Sequence, residues 1–150
     1  MLKKKIKSVS TKKKDTSSME SVRSYLGKKV ISKSGNVVGK VFDVLFLGNT
    51  ITGIIVVKKI SKLFLGKEFL NVSEDAVMLS IDPVTALEGK RVFDADGKKM
   101  GKVKEVIRKG NTNTLSAIMI KKNFYSSAIK IPKDDIDISK KNIILKKVYS

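Results

Sequence analysis

The chain has 150 residues, with 32 Lys and Arg against 14 Asp and Glu, giving a formal charge of +18. It contains no His, Cys or Trp, which excludes a Cys/His zinc site, a disulfide framework, a Ser-His-Asp or Cys-His centre and a histidine proton switch. At 41% apolar residues the composition is globular, enough for one ordinary domain or two very small ones.

The charge is unevenly spread: +6 over residues 1–24, +3 over 25–86 and +9 over 87–150. Only Arg23, Arg91 and Arg108 are arginines, so the excess is lysine. The opening MLKKKIKSVSTKKKDTSS is short of core material, and residues 1–24 read as a flexible basic arm. Within it Lys3, Lys4, Lys5, Lys7, Lys12, Lys13 and Lys14 form a polybasic segment. It suits contact with an anionic surface, at about 1 kcal/mol per Lys near an anionic leaflet, or serves only as a solubilising tail. Ser17 and Glu20 have capping-box spacing for a short helix whose apolar face is Met19, Val22 and Leu26. No apolar h-region follows the lysines, and Asp43, Gly48, Asn49 and Thr50 interrupt the most apolar stretch, Val41–Val57. A membrane span and a secretory signal are therefore not expected, and the chain reads as cytoplasmic.

The rest is organised by a repeat. GKKVISKSGNVVGKVFDVL (27–45) and GKRVFDADGKKMGKVKEVI (89–107) share eight identities in nineteen positions at an offset of 62. Three of these are glycines at turn and strand positions. Further on, TGIIVVKK (52–59) resembles LSAIMIKK (115–122), and VSEDAV (72–77) resembles IPKDDI (131–136). The expected division is a module over 25–82, a linker starting at Asp82-Pro83, and a second module over 87–150.

Each module reads as β. A short strand (Lys29–Ser32) leads to a turn with Gly at its tip, Lys-Ser-Gly-Asn or Ala-Asp-Gly-Lys, which Asp or Asn side chains can close. A second strand follows, Val38–Leu47 or Met100–Arg108. Its apolar pattern departs from period two, which a bulge or burial on both faces would explain. Gly48-Asn49 or Gly110-Asn111 marks a hairpin. The third strand, Ile51–Val57 or Leu115–Ile120, suits burial on both sides. After a variable loop come a strand near Phe69–Val72 or Ala128–Ile131, a helical turn at Ser73–Asp75 or Pro132–Asp135, and a closing strand, Val77–Ile81 or Ile143–Val148. The fold class is all-β: two tandem, strongly bent small barrels. Each is of a size that buries only about 60% of its unfolded surface, so docking or dimerisation is expected to help.

Reactive constellations are weak. Gly35 to Lys40 leaves three residues between the glycines where a phosphate loop has four, and Val41 stands where Ser or Thr would hold magnesium. The second copy fails identically at Gly97, Gly101, Lys102 and Val103. Asp94-Ala-Asp96-Gly97 resembles a calcium-loop fragment, with its glycine misplaced and no closing glutamate. Asp134, Asp135 and Asp137 read as solvated acids on a turn rather than a cation site. No catalytic, cofactor or metal residues are assigned, and an enzyme is not expected.

The remaining candidates are surfaces. Between the third and fourth strands, copy one carries Leu63, Phe64 and Leu65 and copy two carries Phe124 and Tyr125. Either these apolar residues sit on exposed loops and meet a protein partner, or they fold back and plug the barrel ends.

The pattern G-K-x-V…G…G-K-V…[DE]-V, followed by a β-run and an acidic turn before a last apolar strand, resembles the PRC-barrel family in both modules. Two such barrels and little else are most similar to the CdpB-like cell-division proteins of archaea. That resemblance implies a non-enzymatic adaptor that binds a SepF-like membrane anchor of the FtsZ machinery and self-associates as a homodimer or with another PRC-barrel protein. It also implies recruitment to the division site, with peripheral contact to anionic membrane. The alternative, through the family's ribosome-maturation members, is an RNA-binding factor, with nucleic acid as the partner.

Overall fold

A computed structural model describes residues 21–138 and 141–149. Twelve strands form two six-stranded sheets with one topology, β4-β3-β2-β1-β6-β5 and β10-β9-β8-β7-β12-β11. In the first unit these are β1 (Lys29–Ile31), β2 (Val37–Leu47), β3 (Thr50–Lys58), β4 (Ser61–Gly66), β5 (Leu70–Val72) and β6 (Ala76–Leu79). In the second they are β7 (Arg91–Phe93), β8 (Lys99–Arg108), β9 (Leu115–Lys121), β10 (Ile129–Pro132), β11 (Ile136–Ile138) and β12 (Asn142–Leu145). Only β1–β6 and β7–β12 pair in parallel. The fold is all-β, as the sequence implies, and the two sheets enclose separate cores.

Most of the two cores consists of counterpart residues. Val30, Val41 and Val44 are matched by Val92, Val103 and Val106, and Ile54 and Val56 by Ile118 and Ile120. Leu65, Val77 and Leu79 are matched by Ile131, Ile143 and Leu145. Backbone bonds repeat as well. Gly27 N–H donates to Val41 O and Gly89 N–H to Val103 O, both at 2.9 Å. Lys33 N–H donates to Ile81 O and Ala95 N–H to Lys147 O, both at 3.1 Å.

The expected irregularity of the second strand is real. Register shifts fall between Val41 and Asp43 and between Leu45 and Phe46, and again between Val103 and Glu105 and between Ile107 and Arg108. A bulge sharpens local twist, which lets one long strand pair at its start with β1 or β7 and further along with β3 or β9.

Several expected boundaries change. Val44 and Val106 pair with Ile54 and Ile118, which sets β3 and β9 at an offset of 64. The alignment of TGIIVVKK with LSAIMIKK is therefore one residue out, a slip that would turn Ile118 to the wrong face. From β4 onward the offset is 66: Leu63 and Leu65 occupy the ladder positions of Ile129 and Ile131. Lys67–Phe69 and Lys133–Asp135 each form a 3-10 turn. Ser73–Asp75, the segment expected to be helical, is a bend instead. VSEDAV and IPKDDI are thus not equivalent. Near the start, α1 (Val22–Tyr25) is a single turn whose N-cap, Ser21, accepts from Ser24 N–H at 3.3 Å. Tyr25 packs on the first core while Val22 and Leu26 stay 42% and 44% exposed, the reverse of the expected face. The Ser17–Glu20 box and the basic arm with Lys3, Lys4, Lys5, Lys12, Lys13 and Lys14 lie outside the described residues.

The turns after β1 and β7 are closed by buried polar side chains. Asp94 Oδ1 accepts from the N–H groups of Asp96 (3.0 Å) and Lys98 (2.9 Å), and its counterpart Ser32 Oγ accepts from Asn36 N–H (3.2 Å). Asp94 is 1% exposed and its Oδ2 has no partner among the described residues. Asp94→Ala removes two turn-closing bonds and is expected to cost about 2 kcal/mol in urea unfolding. Asp94→Asn keeps the Oδ1 acceptor and should cost less.

In each unit an ionisable group that follows the last strand in sequence ties back to a turn of the same unit. Hydrogen bonds from the Ser34 hydroxyl and N–H hold the Asp82 carboxyl below its ordinary value. A depressed folded value gives stability that is present above the unfolded carboxylate value of about 3.9 and lost as pH falls through the folded one. Burial, then the bond to Asp135 at 3.0 Å, pushes the Tyr149 phenol up. Its contribution is present below about pH 10 and lost as pH rises through the raised folded value. Thermal melts are expected to fall in acid less steeply for Asp82→Asn than for the parent, and in alkali less steeply for Tyr149→Phe.

Candidate interaction surface

The β3–β4 and β9–β10 connections diverge most between the units. In the first, Lys58 pairs with Ser61 across a two-residue turn in which Lys59 takes φ +56°. The apolar residues expected on a loop there are in the strand that follows. Leu63 and Leu65 are 3% and 1% exposed and belong to the core, because their ladder partners Val56 and Ile54 face the same interior. Phe64 points to the opposite face, where its ring lies over Gly53: a Cβ on that glycine would come 2.9 Å from Phe64 Cε2. The loop expected at Leu63, Phe64 and Leu65 is therefore a strand, and only Phe64 turns away from the core. An alternating apolar pattern in KLFLG carried that signal.

In the second unit the connection is a genuine loop, and Phe124 and Tyr125 are 87% and 93% exposed. Their rings meet edge-to-face, centroids 5.5 Å apart. The loop beneath them is braced. Asn123 Oδ1 accepts from the N–H groups of Tyr125 (3.0 Å) and Ser126 (2.8 Å), and Ser126 Oγ accepts from Asn123 N–H at 3.0 Å. Side-chain closure of a turn reduces the entropy lost when such a loop meets a partner.

A second apolar surface was not singled out from sequence. At the β2–β3 corner Phe46 and Leu47 are 50% and 79% exposed, and residues 44–57 carry no charge at all. Phe42, 52% exposed on the same strand, lies under the Lys62 ammonium at 4.5 Å from the ring centroid.

The equivalent outer face of the second unit is basic. Phe42, Val57 and Phe64 have Lys104, Lys121 and Lys130 as counterparts, with Lys102 beside them. The Lys104 ammonium lowers the Lys121 pKa, so these two charges crowd one another.

The units touch through one corner. Phe64 N–H donates to Asn111 O at 2.8 Å, and Arg108 Nη2 donates to Ser61 Oγ (3.1 Å) and Lys62 O (3.0 Å). Asn113 Oδ1 accepts from Val84 N–H at 2.8 Å, fixing the connector to the same β8–β9 loop. Beside this contact a cleft of about 670 Å³ opens between Val38, Val56 and Leu63 of the first unit and Thr85, Val103 and Lys104 of the second. Among the described residues no three carboxylates gather as a metal site would need, and no helix is long and apolar enough to cross a membrane.

This arrangement defines a class: paired small barrel-like β units that present edges, corners and loops. Residues 80–150 match the family model of the PRC-barrel domain, so the connector and second unit are similar to that domain. No curated protein matches the chain.

Proposed function

We propose that the chain is a tandem PRC-barrel adaptor without enzymatic activity, its first unit a diverged copy of the domain at residues 80–150. It binds a SepF-like membrane anchor of the FtsZ division machinery in an archaeal cell, is recruited with it to the division site, and self-associates. The basic arm adds peripheral contact with anionic lipid. The observation that carries the adaptor reading is the Phe124–Tyr125 loop. Two solvent-facing rings on a hydrogen-bonded frame cost exposed apolar area that no core recovers. The division partner rests on the resemblance of the two-barrel plan.

The test is capture of a purified SepF-like protein by the full chain at moderate salt with nuclease present. Phe124→Ser with Tyr125→Ser is expected to weaken capture about tenfold or more, the effect of losing an aromatic anchor. Undiminished binding by that variant would discard the loop as the site, and no binding by the parent would discard the partner.

The crowded Lys102, Lys104, Lys121 and Lys130 face supports a second reading, an RNA-binding factor. On that reading Lys104→Glu with Lys121→Glu abolishes co-sedimentation with ribosomal particles, and binding by the parent falls steeply with salt.

A further inference from the structure

The contact between the units uses each of them once, in different roles. The second unit supplies a corner, Arg108 to Asn111, and the first supplies an edge, the outward side of β4. The ladder carries Arg108 to Phe46, since Arg108 pairs with Leu115 as Phe46 pairs with Ile51, and the longer 109–114 connection that holds Asn111 stands against the Gly48-Asn49 turn. The offset of 66 carries Ser61, Lys62 and Phe64 to Ser127, Ala128 and Lys130. The first unit therefore keeps an unused corner, and the second keeps an unused edge, β10, at the end of its sheet.

We propose that the chain assembles head to tail with further copies of itself, the Phe46–Asn49 corner of one molecule seated on the β10 edge of the next. The contact made within the molecule is repeated between molecules. The same register turns the Lys130 N–H outward, as it turns the Phe64 N–H toward Asn111 O, so a main-chain donor stands ready at the equivalent place. Pro132, which has no N–H, ends that edge. The edge thus favours a short corner contact over long strand addition.

The side chains on both halves of the free contact have changed together. Inside the molecule a guanidinium caps a hydroxyl and a carbonyl, polar group against polar group. In the intermolecular version the Arg108 position is Phe46, with Leu47 beside it, and the facing connection is the loop that carries Phe124 and Tyr125. All four are half to nine-tenths exposed. An apolar corner meets an aromatic loop, and the uncharged 44–57 segment approaches the +9 second unit without like-charge repulsion. Corner and edge are different surfaces, so the interface is heterologous. It propagates unless the rotation between units closes a ring.

This inference rests on the reading of the chain as a surface-working adaptor, and its test needs no other protein, so the two can fail separately. The mass of the full chain is measured by light scattering across a concentration series. The parent is expected to climb past two chains. Leu47→Asp, which breaks the corner, and Phe124→Asp with Tyr125→Asp, which breaks the edge side, are each expected to stay at one chain with unchanged circular dichroism. Lys130→Pro, removing the outward N–H, is a second edge variant. An equimolar mixture of corner and edge variants has one intact half of the contact on each molecule and is expected to stop at two chains. A parent that stays at one chain, a parent that stops at two, variants that assemble like the parent, or a mixture that stays at one chain would each overturn the proposal.

Discussion

Leu65→Ala is expected to cost about 2–5 kcal/mol in equilibrium unfolding, whereas Phe124→Ser should shift it by less than about 0.5 kcal/mol. From sequence both residues read as lying in the connection between the third and fourth strands of their repeats, as candidates for an exposed apolar surface. The structure separates them. Leu65 is 1% exposed and packs in the first core, paired across the ladder with Ile54, which is 0% exposed. Truncation leaves a cavity in a unit too small to relax around it, so the transfer and cavity terms add. Phe124, 87% exposed, touches chiefly Tyr125, and its loss removes contact area that is wet in the folded and unfolded states alike. Urea melts of the two variants decide the matter. A Phe124→Ser protein that loses more than about 1 kcal/mol would place that ring in the fold and withdraw it from partner binding.

Why the repeat was visible in one half of each module and misaligned in the other follows from what the residues do. Between residues 27 and 45 six of the eight identities are glycines and buried valines with structural duties. Gly27 and Gly89 take the same φ of +81°, Gly35 and Gly97 take +88° and +84°, and the buried valines pack at a crossing of strands. Few residue types satisfy such demands, so duplicate copies keep the same letters. From β3 onward the requirement is only an apolar side chain at each buried position, which Ile, Leu and Val meet interchangeably. The Gly48-Asn49 turn stands against the longer 109–114 connection, and the two-residue turn after β3 against the longer loop with Phe124, so the offset drifts from 62 to 64 and then to 66 with few letters to pin it. The same degeneracy hid β4. KLFLG alternates as a strand should, but with an aromatic at its centre it also reads as an exposed loop. The Phe46–Leu47 corner was hidden for the opposite reason. It lies inside the most apolar stretch of the chain, and only the register shifts of β2 reveal that its end leaves the core.

Gly101→Ala is expected to destabilise the second unit by about 2–5 kcal/mol, and Gly39→Ala the first by a similar amount. Gly101 pairs with Val92 where the β7–β8 register shifts, and its φ is +139°, a conformation that a Cβ strains by about 1–3 kcal/mol. Space adds to backbone. A Cβ there would sit 2.6 Å from the carbonyl carbon of Lys121 and 2.9 Å from the amide nitrogen of Lys122, and would clash with the Lys121 carbonyl oxygen. These are main-chain atoms at the end of β9, and moving them breaks the β8–β9 ladder, so overpacking contributes about another 1–3 kcal/mol. At Gly39 the Val57 carbonyl stands in the same place. The glycine is thus the point at which the long second strand passes close over the third and bends, and the bend lets a short sheet curl around a core. Gly110→Ala is the control. Its φ is +58°, yet nothing lies within 4 Å of the added carbon, so only the backbone cost of about 1 kcal/mol is expected. Equal losses at Gly101 and Gly110 in guanidinium unfolding would show that φ alone matters, and that the close crossing does not shape the barrel.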